Sequence, residues 1–319
     1  MDSAIGSLFR RDIRRGVQGC FQRPVVIFFV YMFKRQTSGS VVCVSCGSLV
    51  GVNDPECYSC GRRNPALWGY APVLRRFGND FGFIPLVMYG SGLLYALALI
   101  VTMGRGGNVL GGGGPFGLLS PGGDVLLLLG ASGSLAVFQL GAWWSVLSAG
   151  WLHGSILHIA FNMLWVRNLG PATADIYGAS RMIIIYTMSS VGGFFLSSFA
   201  GAFLSIPKFG AYLTVGASAP IFGLLGALMF YGRRGGSSAI HGEAKTYAIL
   251  LFVFGLIMPG IDNAAHAGGF IGGYLSAMWM DPMKPERINH MIAALVCLLA
   301  TALAILASIW TVLPIMRYL

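Results

Sequence analysis

Apolar residues run along this chain in long blocks rather than alternating or recurring at helical intervals. The stretches 81–103, 182–207, 211–231 and 291–316 carry no charge at all; Lys208 and Arg105 fall just outside them. Three shorter blocks, 151–166, 246–261 and 263–280, lie between them. About 20 apolar residues in a helix cross the hydrocarbon of a bilayer, and a helix satisfies its own backbone there. The pattern predicts seven spans in an all-α polytopic membrane protein. Residues 24–33 are apolar but too few to span, and read either as an interfacial segment or as a run that mimics the apolar part of a signal peptide. Residues 104–123 are a glycine-rich linker. The remainder of that loop, to Gly150, is apolar and carries Trp143 and Trp144, so it is expected to lie in the membrane interface.

Composition agrees with the blocks. The chain is 55% hydrophobic and 10% charged, with mean hydropathy +0.72, which excludes an ordinary soluble domain. The net charge of +10 does not imply nucleic acid. Residues 1–80 hold 11 of the 21 basic residues, and most others fall in alternate connections: Arg167 and Arg181, then Arg233, Arg234 and Lys245, then Lys284 and Arg287. This bias predicts a cytoplasmic N-terminus and an outer C-terminus, in a bacterial-type plasma membrane.

Cys43, Cys46, Cys57 and Cys60 form two C-x2-C pairs. Two such pairs supply four thiolates to a tetrahedral metal, with Gly47 and Gly61 placed for tight turns. The spacing predicts a small ribbon holding a structural zinc, closed to water and open to a cytosolic partner. Disulfides are the alternative, disfavoured on the cytosolic side; iron is another. Cys20 and Cys297 are unpaired extras.

Ionisable and polar groups inside a membrane default to a functional reading. His153, His158 and Asn162 sit in the second span, Ser218 in the fourth and His266 in the sixth. Alternation places all five in the early halves of spans that enter from one side. Each has a plain alternative: Ser218 as a packing residue, Asn162 as interhelical glue, a histidine held neutral. Their shared depth favours a common site. His266, Gly269 and Gly273 are spaced to share one helix face, and Gly269-x3-Gly273 permits close approach to the small residues around Ser218. Serine needs an adjacent base to act as a nucleophile.

On these residues the chain resembles the rhomboid intramembrane serine proteases. Gly216-Ala217-Ser218-Ala219 is similar to that family's G-x-S-x, Ala265-His266 with Gly269 and Gly273 to its A-H and G-x3-G, and His153, His158 and Asn162 to its H-x4-H-x3-N. The resemblance covers roughly residues 125–280. It implies a six-helix core with an added seventh helix, no catalytic cofactor, and cleavage of transmembrane protein substrates in or near their spans. It implies Ser218 as nucleophile, His266 as base, His158 and Asn162 as oxyanion donors with the Ser218 N–H, and His153 in support. Phe222 stands where many members have tyrosine, and Ser145 where many have a loop-anchoring arginine. Asp262 reads as a helix cap. A silent client-binding relative and a proton-coupled transporter are the rival functions. The domains expected are a basic segment 1–40, the ribbon 41–66, a linker 67–80, the core 81–288 and the extra helix 289–319.

Overall fold

A computed structural model describes residues 34–110, 117–204, 206 and 209–314. The basic stretch 1–33, with the apolar run 24–33 and Cys20, lies outside the described residues. The chain divides into two compact units at Arg76/Phe77.

The first unit is built on a short antiparallel hairpin. Strands β1 (Ser40–Val42) and β2 (Leu49–Gly51) pair with Val41 opposite Val50. The connection between them carries Cys43 and Cys46. Val41, Val50, Val52, Cys57 and Ala66 are buried together. A 3-10 turn at Leu67–Gly69 leads to α1 (Ala71–Arg75), whose Arg75 Nη2 donates to the Cys43 carbonyl at 2.8 Å. An apolar core this small needs a staple to hold a fold.

The second unit is helical. Its long helices are α2 (Phe83–Gly104), α5 (Ile156–Tyr177), α6 (Ala179–Phe203), α7 (Ser218–Arg233), α8 (Ser238–Ile257), α9 (Asn263–Trp279) and α10 (Ile288–Val312), with the short α3 (Gly123–Leu129) and α4 (Ser145–Ser148) between α2 and α5. Each long helix falls on one apolar block. Among the described residues, 4 are long and apolar enough to cross a membrane: α2, α6, α8 and α10. Of the others, α7 has 16 residues and α9 has 17, and α5 is less apolar, with Arg167 and Asp175 along its length.

Glycine contacts fix the directions. A Cβ on Gly269 would strike the Ala219 backbone, and one on Gly273 would strike Gly223, so α7 and α9 run parallel with their backbones nearly touching. Gly268 meets Gly192 while Gly272 meets Met188, so α6 runs antiparallel to α9. His158 lies near Gly216, and the Tyr177 hydroxyl donates to the Ala227 carbonyl at 2.9 Å, so α5 also runs parallel to α7. Small residues on α9 therefore serve two neighbours, the means by which apolar helices associate where no hydrophobic driving force separates them from lipid.

Four sequence expectations need correction. The block 211–231 is helical only from Ser218. Residues 211–217 run beside the loop, with Thr214 and Ser132 exchanging N–H···O bonds of 2.8 and 3.0 Å. The second span does not start at 151: α5 begins at Ile156, leaving His153 in the approach, and continues through Pro171 to Tyr177. The loop 123–150 does not simply lie in an interface, because Val125, Leu126, Leu129 and Ala149 are buried within the protein. Arg181 does not fall in a connection: it lies in the first turn of α6. It is 4% exposed, and its guanidinium donates to the carbonyls of Tyr177, Asp281 and Lys284. A buried cation persists where it finds such acceptors.

Candidate active site

Ser218 is the first residue of α7 and is half-buried. At that position its backbone N–H, like that of Ala219, has no intrahelical acceptor, Pro220 carries no N–H, and Ala217 offers no side-chain cap. The chain enters the helix through Gly216 at φ +129°, a conformation that disfavours any side chain. A Cβ there would also lie 2.5 Å from His158 Nε2 and 3.5 Å from Asn162 Nδ2. The glycine thus lets the backbone ahead of Ser218 pass directly beneath two polar groups of α5.

The tautomers follow from hydrogen bonds. His158 Nδ1 accepts from the Gly154 N–H at 3.3 Å, so in the neutral ring Nε2 carries the proton and faces the Gly216 backbone. His153 Nε2 is the acceptor for the Ala217 N–H at 3.5 Å, and its ring meets that of His158 edge-on at 5.2 Å. Ser155 caps α5 by accepting from the His158 N–H at 3.2 Å.

His266 lies in the first turn of α9, 6% exposed. Asp262 caps that helix by accepting from the Ala265 N–H at 3.0 Å and receives the Ser197 hydroxyl at 2.5 Å. The His266 ring stacks on Phe222 at 4.2 Å and 18°. Phe222 is one turn after Ser218 and shares its face, so the stack brings His266 to the side of α7 that presents Ser218. The approach of Gly269 to Ala219 brings the two backbones together at the same level.

His153 Nδ1, Asn162 Nδ2 and His266 Nδ1 are buried without hydrogen-bond partners. Buried polar groups are normally satisfied, so a cluster of free donors and acceptors around a helix N-terminus is organised for something other than stability. Its electrostatics suit an anion: orphan N–H groups, an imidazole N–H and a carboxamide converge beside Ser218.

Sequence reasoning missed three supports: the Ala149 carbonyl, which accepts from the Gly216 N–H at 3.0 Å; the Ser197–Asp262 bond; and the second glycine face of α9. The doubled Gly268-Gly269 and Gly272-Gly273 pairs were the legible signal for the last. Ser145 is buried and donates to Ser132 at 3.2 Å, which tethers the loop where the resemblance expects arginine.

In the first unit the sulfurs of Cys43, Cys46, Cys57 and Cys60 all lie within 4.8 Å of one another. Cys46 to Cys57 is 3.6 Å and Cys43 to Cys60 is 3.9 Å. A tetrahedral ion with metal–sulfur bonds near 2.3 Å requires sulfurs about 3.8 Å apart. The two halves repeat one turn: Gly47 N–H donates to the Cys43 carbonyl at 3.1 Å, and Gly61 N–H to that of Cys57 at 2.8 Å. Burial pushes the Cys60 thiol up to about 12. Burial also raises Cys46, but hydrogen bonds from Ser48, Cys60 and Cys57 outweigh it and hold Cys46 at about 6. A cluster that ionises one thiol at the expense of another needs a cation to ionise them all. The donors fit a metal site.

Residues 140–283 match the rhomboid domain. The chain is 30% identical over 186 residues to the rhomboid protease GluP of Bacillus subtilis, covering 57% of this chain and 35% of that protein. It is 33% identical over 162 residues to RHOMBOID-like protein 4 of Arabidopsis thaliana, covering 50% and 39%. It is 30% identical over 174 residues to the rhomboid protease GlpG of Yersinia pseudotuberculosis, covering 49% and 58%. The chain thus spans between about a third and three-fifths of the length of these curated relatives. The domain and the four apolar helices make it an integral membrane protein, and residues 140–283 place a rhomboid domain within it.

Proposed function

We propose that the protein is an intramembrane serine protease that cleaves a peptide bond in or near a transmembrane segment of other membrane proteins. Ser218 Oγ attacks the scissile carbonyl while His266 takes its proton. The oxyanion that forms is held by the Ser218 N–H, His158 Nε2–H and Asn162 Nδ2–H. His266 then gives its proton to the leaving amine as the C–N bond breaks, and water releases the acyl group by the reverse sequence. His153 keeps the backbone ahead of Ser218 in place. Preorganised donors of this kind contribute roughly 3–4 kcal/mol each to the transition state.

The observation that carries this reading is the Phe222–His266 stack across the glycine contact beside Ser218. It gives a serine at a helix N-terminus a basic neighbour. Seven helices cross the bilayer in this reading, with the N-terminus cytoplasmic. At 16 residues α7 is about 24 Å long, shorter than a hydrocarbon layer of about 30 Å. Its Ser218 end therefore sits below the outer surface, where residues 211–217 and the loop admit water.

The four thiolates hold one structural zinc in a domain that docks a cytosolic partner or steers substrate. A closed four-thiolate set leaves no coordination position for an activated water.

A panel of single-span reporters co-expressed with wild type or Ser218→Ala tests the activity. Cleavage with the first alone, and labelling of Ser218 by a phosphonate, are the expected outcomes. Equal cleavage by both forms rejects the reading.

A further inference from the structure

Helix α10 lies beyond the matched domain, yet it reaches the loop beside the site. It packs against α3, α4 and α6. Most of its large side chains, including Leu295, Leu299 and Leu303, point outward. Its inward face carries a buried serine. Ser308 Oγ donates to the Ala304 carbonyl at 2.9 Å and accepts the indole N–H of Trp144 at 3.1 Å. A half-buried indole N–H generally finds an acceptor, and here α10 supplies it. The approach is close: a Cβ on Gly130 would lie 2.9 Å from Ser308 Oγ. One turn on, Val312 is buried with Val125, Leu126 and Leu129, in a cluster that also takes Leu213 and Val215.

Leu213 and Val215 flank Thr214, which is bonded through both backbone groups to Ser132. Gly216 is bonded to Ala149, and Ser218 follows. We infer that α10 is a brace for the active site: Ser308 and Trp144 fix the loop, and the loop fixes residues 211–217 so that Ser218 and its N–H are correctly presented. Neither residue touches the reacting atoms; both are positioning residues. The inference rests on Ser218 being the nucleophile.

The test uses the full chain in liposomes with Ser308→Ala, Trp144→Phe and the double variant. Three quantities are measured: phosphonate labelling of Ser218, kcat and KM on a single-span reporter, and backbone amide exchange. Each single variant is expected to lower kcat and labelling about five- to thirtyfold, the effect of losing one interior hydrogen bond, with KM unchanged. Exchange should rise in residues 126–149 and 211–217 and stay constant in the interiors of α5, α6 and α9. The double variant should be no worse than either single one, because both remove one contact. Leu299→Ala, on the outward face, should behave as wild type. Wild-type kcat and exchange in Ser308→Ala, additive losses, or exchange rising through all helices would overturn the brace. Absence of labelling in wild type rejects the nucleophile instead, and the exchange pattern alone then decides whether α10 holds the loop.

Discussion

The two polar clusters of this protein are organised in opposite ways. In the first unit four thiols from two matching turns face one another at near-tetrahedral spacing. In the second, His153 precedes α5, His158 and Asn162 lie on it and His266 lies on α9, and three of the four keep a buried atom unpaired. The first arrangement is closed: once a cation is bound its valences are used, and the gain goes into folding a unit too small to fold on apolar burial. The second is open: its unpaired groups are a standing cost, borne by glycine-mediated packing around it, which the proposed reaction would relieve as charge develops between them. A closed cluster should fail structurally when cut, and an open one chemically.

The largest expected effect tests the open cluster. Ser218→Ala and His266→Ala should each abolish reporter cleavage while the detergent-solubilised protein keeps its helicity and elution volume, since other contacts hold α7 to α9. Unfolding of either variant would mean that this cluster is structural too. The closed cluster should give the converse. The double change Cys43→Ser and Cys46→Ser should remove a stoichiometric zinc, measured by metal analysis of the full chain, and render residues 34–76 protease-sensitive. Cleavage of a generic reporter should remain measurable, and loss of hydrolysis by a folded core would couple the two units. Acid should release the metal as well, because protons compete for the thiolates. Asn162→Ala sharpens the comparison at intermediate scale. It should lower kcat about a hundredfold, ~2.7 kcal/mol, with little change in KM; a change in KM alone would make Asn162 a packing or binding residue. At the small end, Glu56→Ala removes a pair with Arg63 whose side chains are 58% and 82% exposed, and neither zinc content nor thermal midpoint should move.

Much of this was legible along the chain, and the reason differs by feature. Apolar blocks announce helices because length and hydropathy are local properties. Cys43, Cys46, Cys57 and Cys60 announce a metal site because the ligands of each half lie within one turn of chain. The helix starts were less legible. The block 211–231 is uniformly apolar, and nothing local says that its first seven residues bond to Ser132, Ser134, Leu135 and Ala149 instead of coiling. That choice is made by hydrogen bonds across the fold. Arg181 is a similar case, since a charge between apolar blocks reads as part of a connection until the carbonyls of Asp281 and Lys284 are brought to it.

The sequence by itself determined the helical class, the thiol set and the identities of the polar residues available for chemistry, because composition and short spacings need no partner to be read. Only the tertiary structure decided that Gly216 passes beside His158 and Asn162, that Phe222 stacks on His266, and that α10 reaches Trp144. Those facts depend on which backbones can touch, and contact between residues distant in sequence is settled by packing at positions such as Gly216 and Gly269, where no side chain fits.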